Sequence, residues 1–492
     1  MTTLLSLASL GEISSNAAVP TYLRKNITAG IVHFGIGNFH RAHQAVYLDA
    51  LLNLGEGHDW GLIGAGVTDH DSAMREKLKA QDYLTTVVEQ TIGETTARIT
   101  GAMIGFLDPR DRNSIIETLA DPSIRIVSMT ITEGGYFIHP ASGEFDPKHP
   151  TIVAEGEKPD DPKTVFGIIL AGLKRRRAAG IQPFTLLSCD NIPGNGHVTE
   201  AAVTGLARLS DPAFADWISA NVAFPNSMVD RITPATGSRE IAHCRETFGI
   251  ADNSPVYCEE FKQWVLEDKF PAGRPVFEKV GVTFVPDVAP YELMKIRILN
   301  GGHATIAYPG ELLDIHFVHE AVEDPDVGAF LAKVEREEII PVIPPVLDTN
   351  LYAYLNLVQQ RFLNPKIADT IPRLAYDGSN RQPKFIMPSI ADRLSAGGSV
   401  TGLALVSALW CRHCFGTSES GRQIAPSDPN WDVLQATARA AKTDPLAWTS
   451  MADIYGELGK SEPFTGAFAR SLGSLWKLGT RKTLARYVNG EL

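Results

Sequence analysis

A chain of 492 residues, 44% of them hydrophobic and 21% charged, has ordinary globular composition and length for two or three domains. Its formal charge of −12 repels phosphate backbones, which argues against a nucleic-acid partner. No window approaches the roughly 18 consecutive apolar residues of a membrane span, and the first residues lack the basic start of a signal peptide. The chain therefore reads as cytoplasmic.

The first half alternates short apolar runs with helical stretches. Ile31–Gly35 reads as a strand, Phe39–Leu54 as a helix and Trp60–Val67 as the next strand. Ile124–Thr130 and Phe184–Ser188 are two further strands, with an amphipathic helix over Thr164–Ala179 between them. Strands alternating with helices predict a mostly parallel sheet, which binds ligands beyond the carboxyl ends of its strands.

The first strand runs into Gly35-Ile36-Gly37, and a helix opens at once through Asn38 and Phe39. Gly35 permits a tight turn, and Gly37 lets the backbone approach a pyrophosphate. His40 stands where the full dinucleotide fingerprint has a third glycine. That predicts either a looser approach of helix to strand or a side chain used near the cofactor. Asp69, after the second strand, can hold the adenosine ribose 2′-hydroxyl and repel a 2′-phosphate; the alternative is that it merely caps the next helix, Ser72–Ala80. With the acid present and no arginine beside it, NAD is expected rather than NADP. Thr132, Glu133 and two glycines end the third of these strands and can also approach the cofactor.

Helical periodicity dominates from about Pro290. Helices are expected over Tyr291–Ile306, Phe317–Val322, Val327–Glu338, Tyr352–Arg361, Val400–Phe415, Trp431–Arg439 and Ser461–Leu478. The fold class expected is α/β: a Rossmann-type dinucleotide-binding domain over 1–285 and a mainly α-helical substrate domain over 286–492. Five cysteines include Cys411-x-x-Cys414 at the end of an apolar helix. Without a second ligand pair these read as free thiols, and no metal site is expected.

The segment PYELMKIRILNGGHATIA carries the chemistry. Taken as an α-helix with Lys295 as origin, it places Glu292 at roughly 60°, His303 at roughly 80° and Asn300 at roughly 140°. Met294, Ile298 and Ala304 fall outside that arc and can pack, while Gly301-Gly302 leaves room for a ligand. Asn191 follows an apolar strand, and Asp230 lies in an apolar-flanked stretch. This set suits oxidation of a secondary alcohol. A neutral lysine can take the hydroxyl proton, provided desolvation or a nearby cation lowers its pKa from about 10.4 to roughly 7–8. Amides from Asn191 and Asn300 can donate to the developing alkoxide and carbonyl oxygen, each commonly worth ~3 kcal/mol. His303 and Asp230 would orient neighbouring hydroxyls, and Glu292 could relay the proton to solvent.

At these residues the chain resembles the polyol-specific long-chain dehydrogenases, a family that includes the fructuronate and tagaturonate reductases. The resemblance covers nearly the whole chain through GIGNFHRAHQA, TITEGGY, SCDNIPGNG, FPNSMVDRITP and MKIRILNGGH. The family pattern K-x-x-x-x-N-x-x-H is matched by Lys295, Asn300 and His303. It implies Lys295 as general base, Asn191 and Asn300 as the oxyanion-binding pair, and Asp230 and His303 as substrate ligands, without a metal. The family turn G-x-G-x-F-x-R is matched by Gly35, Gly37, Phe39 and Arg41, so the missing third glycine is normal for the family. A departure lies at Arg381 in DGSNR, where the family has lysine. Arg373 and Arg381 are expected at the far end of the substrate. The implied reaction is NAD-dependent oxidation of D-mannitol to D-fructose. The alternative is mannonate–fructuronate chemistry, because an arginine can bind a carboxylate bidentately. A third reading, an NAD-binding scaffold without turnover, sits poorly with an intact Lys–Asn–His set. The expected partner is a small polyol or ketose, with the chain a monomer or weak oligomer.

Overall fold

The computed structural model describes residues 2–139 and 143–492, and the chain divides into two compact units, Met1–Ala289 and Pro290–Leu492. The first is built on a five-stranded parallel sheet of β1 (Ala29–Phe34), β2 (Gly61–Ala65), β3 (Met103–Phe106), β4 (Ile126–Met129) and β5 (Thr185–Ser188). Their spatial order is 3-2-1-4-5. This is the order of a dinucleotide-binding sheet, and its switch point lies between β1 and β4. Every residue of β4 and β5 is buried, as expected for strands covered on both faces. Helices Val165–Ala179 and Asn195–Ser210 cover one face through Phe166, Ile169, Leu173, Val203 and Leu206; Tyr47, Leu48 and Leu51 pack on the other.

Four of these strands match the apolar runs of the sequence, whereas β3 (MIGF) is too short to stand out. The expected helix Phe39–Leu54 forms as two pieces, Asn38–Ala42 and Gln44–Asn53, because His43 leaves the helical region (φ −123°, ψ −88°). Two smaller mixed sheets were not legible in the sequence. One pairs Thr85–Gln90 with Thr95–Thr100 and Val256–Glu259; the other pairs Gln263–Glu267 with Ser227–Asp230 and Thr283–Val285.

The second unit is helical. Leu351–Phe362, Thr401–Cys414, Trp431–Ala441 and Glu462–Leu478 follow the sequence periodicity closely. Thr401–Cys414 is buried from Gly402 onward, and Cys411 and Cys414 are free thiols inside it. Burial pushes both thiols well up, away from the reactive thiolate. Two helices carry π turns: Lys295–Asn300 in the stretch Ala289–Leu312, and Glu335–Ile339 after Pro325–Val334. No described helix is long and apolar enough to cross a membrane.

Candidate active site

In the N-terminal unit, the predicted cofactor residues gather at the carboxyl ends of β1, β2 and β4. Gly35 has φ +89°, and a Cβ there would stand 2.0 Å from the Thr130 carbonyl oxygen, so only glycine fits the switch point. A Cβ on Gly37 would meet nothing within 4 Å, which leaves the backbone open to a ligand. The side chains between and after the glycines have structural duties. Ile36 is buried against Gly64, and the Asn38 amide donates to the Pro234 carbonyl (3.1 Å) and Thr236 Oγ1 (2.9 Å). Phe39 stacks on His43. Arg41 is buried and braces the turn through Asn38 Oδ1 (2.8 Å), Ser254 Oγ (3.2 Å) and the Ser254 carbonyl. His40 is buried with its ring stacked on His33 of β1 at 3.6 Å. It therefore fills the space between helix and strand that a third glycine would close.

Asp69 opens the helix Asp69–Lys79 and is exposed. The capping is done by Thr68 and Asp71, which bond reciprocally, so Asp69 is not needed as a cap. Thr132 and Glu133 are also exposed. Thr132 has φ +64° and ψ 164°, a conformation nearly reserved for glycine that costs on the order of 1–3 kcal/mol. Asp190 holds it there. Its carboxylate accepts from the amides of Ile131 (2.9 Å) and Thr132 (2.9 Å) and from the Tyr136 hydroxyl (2.7 Å). Burial pushes this carboxyl upward and the hydrogen bonds oppose that shift. Asp190 was not singled out from the sequence. The signal was an acid directly after an apolar strand, next to Asn191.

Asn191 follows β5 and is exposed, while Asp230 ends the strand Ser227–Asp230 and is buried. Buried Asn195 ties the two segments together. Its amide donates to the carbonyls of Asp190 (3.1 Å) and Ser227 (2.9 Å), and its Oδ1 accepts from the Ser227 amide (2.9 Å).

In the C-terminal unit, Lys295, Asn300 and His303 share the helical stretch Ala289–Leu312, but not with α-helical angles. Lys295 and Asn300 are the two ends of the π turn, where the Gly301 amide bonds back to the Ile296 carbonyl. A π turn winds less per residue than an α-helix, so Asn300 lies nearer to the Lys295 side of the helix than the roughly 140° of regular α-helical winding. Lys295 is buried, at 7% exposure, and Glu292 is half-buried one turn earlier. Met294, Ile298 and Ala304 pack in the interior as expected. Gly302 departs from expectation: a Cβ there would lie 3.0 Å from Glu335 Oε1, so its space is taken by protein and not left for a ligand.

His303 stacks on Phe362 at 4.3 Å. Burial pushes its pKa down to about 3, helped by Arg373, Arg361 and Arg381 and opposed by Asp369, so the ring is neutral. Asn300 Oδ1 and His303 Nε2 are both buried with no hydrogen-bond partner in the described protein. Arg373 is bound through Nε to Asp369 Oδ1 (2.6 Å) and through Nη2 to Oδ2, and Arg381 Nη1 donates to the Leu374 carbonyl (3.0 Å). No group of three or more His, Cys, Asp or Glu among the described residues could hold a metal ion.

Two family models match the chain: the mannitol dehydrogenase Rossmann domain over residues 29–279 and the mannitol dehydrogenase C-terminal domain over 287–476. The chain is 58% identical to the mannitol 2-dehydrogenase of Cereibacter sphaeroides over 95% of its own length and 98% of the relative's. It is 40% identical to that of Neosartorya fischeri, over 96% and 95%. Among solved structures, it resembles the ternary complex of Pseudomonas fluorescens mannitol 2-dehydrogenase with NAD and D-mannitol. That match has 41% identity and a TM-score of 0.87, covering 99% of this chain and all of the other. It also resembles a D-sorbitol dehydrogenase at 34% identity and a TM-score of 0.91, covering 98% of this chain and all of the other. This chain belongs to the mannitol dehydrogenase family.

Proposed function

We propose that this protein is an NAD-dependent polyol dehydrogenase that oxidises D-mannitol to D-fructose, and runs the reverse reaction, with Lys295 as general base. The observation that carries the activity is end-to-end similarity to mannitol 2-dehydrogenases, one of them described with NAD and D-mannitol bound. The residues fit the cofactor. The open backbone at Gly37 and the loop strained at Thr132 flank the switch point, and the exposed acid Asp69 suits a ribose without a 2′-phosphate.

When bound, NAD supplies the hydride acceptor. Lys295, as the neutral amine, takes the proton of the hydroxyl whose carbon loses hydride. Its burial keeps the side chain out of bulk water. Asn191 and Asn300 donate amide N–H bonds to the alkoxide as it becomes a carbonyl. Neutral His303 and Asp230 bind neighbouring hydroxyls, with Arg373 and Arg381 at the far end of the polyol. The unpartnered Asn300 Oδ1 and His303 Nε2 support this reading, because buried polar atoms ordinarily find partners and a polyol brings hydroxyls. Glu292, one turn before Lys295, passes the proton to solvent. The enzyme acts in the cytoplasm as a monomer or weak oligomer, which sedimentation at working concentration tests.

A substrate panel tests the activity. Turnover of D-mannitol with NAD should exceed that with NADP by at least about tenfold. Reduction of D-fructose by NADH should exceed that of fructuronate by a similar factor. Preference for the acid, or no turnover of mannitol, overturns the proposal.

A further inference from the structure

Arg373 and Asp369 are unevenly exposed: the arginine side chain is 57% accessible and its carboxylate partner 10%. Asp369 is anchored from several directions. Its Oδ1 accepts from the Thr370 amide at 2.8 Å as well as from Arg373 Nε, and its Oδ2 accepts from Arg373 Nη2. Burial alone would push this carboxyl up, but the Arg373 hydrogen bonds and charge, together with the Thr370 amide, hold it below the usual range. It is therefore an anion at working pH. Among the described residues, the largest charges acting on His303 are this carboxylate and the guanidiniums of Arg373, Arg361 and Arg381.

The Nε/Nη2 edge of Arg373 is the edge with which arginine grips a carboxylate side-on, and here the protein's own carboxylate fills it. A sugar acid must compete for that edge and also approach Asp369, whose charge repels it. An uncharged polyol meets neither obstacle and can still accept from Nη1. We propose that Asp369 determines specificity by occupying Arg373, making the far end of the site a receptor for hydroxyls and excluding substrates with a terminal carboxylate. This rests on the proposal that Arg373 faces the substrate. It explains how a chain with arginines at both 373 and 381 handles a neutral sugar.

The test compares kcat/KM for fructuronate with that for D-fructose, both with NADH, in wild type, Asp369→Asn and Asp369→Asn/Arg373→Gln. Competitive inhibition by mannonate against mannitol gives the same ratio where turnover of the acid is too slow to follow. The asparagine keeps an Oδ1 for the Thr370 amide and removes the charge. The acid-to-neutral ratio should rise at least tenfold in Asp369→Asn and fall back in the double variant, because the released arginine is the new receptor. An unchanged ratio in Asp369→Asn with an unchanged melting temperature, or a gain that survives loss of Arg373, overturns the inference. Arg373→Gln alone, an exposed change, covers a failure of Asp369→Asn to fold. The bare Asp369 carboxylate should lower the ratio severalfold, and a ratio that holds or rises contradicts the inference. The wild-type ratio is read separately. Preference for the acid there refutes the polyol activity itself, and the specificity role with it.

Discussion

His303 is neutral because it is buried against Phe362 with guanidiniums nearby, and its Nε2 waits for a partner. A ring with a folded-state pKa of about 3 and an unfolded one near 6.5 binds its proton more readily when the chain unfolds. Its contribution to stability is full above about pH 6.5 and is lost as the pH falls below that value, by at most about 1.4 kcal/mol per pH unit. Urea melts between pH 7.5 and 4.5 should therefore show a shallower acid loss in His303→Asn than in wild type. The variant should raise the KM for mannitol without moving the acid limb of the kcat profile. An acid limb that disappears with His303 would mean that the ring titrates in the working range. Asp190 shows a different economy at this scale: a single carboxylate holds two amides and a tyrosine, and so fixes the strained Thr132 loop.

The π turn at Lys295–Asn300 sets how Lys295 and Asn300 are spaced around their helix, and the sequence concealed it. MKIRILNGGH has α-helical apolar spacing, and a π turn leaves no mark in that pattern, so the α-helical angle inferred for Asn300 does not hold in the structure. The second π turn, Glu335–Ile339, was equally hidden, because EREE reads as a solvated charged face. In the structure Glu338 accepts from the Gly402 and Leu403 amides and the Tyr487 hydroxyl. Glu335 is fully buried beside Gly302 with no hydrogen-bond partner for either oxygen among the described residues. Burial raises the Glu335 carboxyl well above its ordinary value, so the folded chain keeps a proton there that the unfolded chain releases. Stability from this group is complete below about pH 4.5 and declines as the pH rises toward the folded-state value, by at most about 1.4 kcal/mol per unit. Glu335→Gln should therefore gain stability over wild type progressively from pH 5 to 8 in urea melts. A constant difference across that range would show that the carboxyl is already ionised in the folded chain.

Across the molecule, long periodic segments were the legible part. The strands β1, β2, β4 and β5 stood out as continuous apolar runs between turn signals, and the helices of the second unit because one buried face repeats along each. The small mixed sheets around Thr85–Gln90 and Gln263–Glu267 did not, because their strands pair across more than a hundred residues or bury both faces. Asn195, which ties the Asp190 and Ser227 segments together across the sequence, carried no local signal either. The proposed reaction needs a glycine turn that holds the cofactor and a buried lysine that takes the proton. Mannitol-dependent reduction of NAD, measured with NAD binding in wild type and Lys295→Ala, tests both parts at once. The account predicts that the variant keeps its affinity for NAD within about twofold while kcat falls by 10²-fold or more, roughly the share of a general base. A Lys295→Ala enzyme that retains wild-type turnover would contradict it.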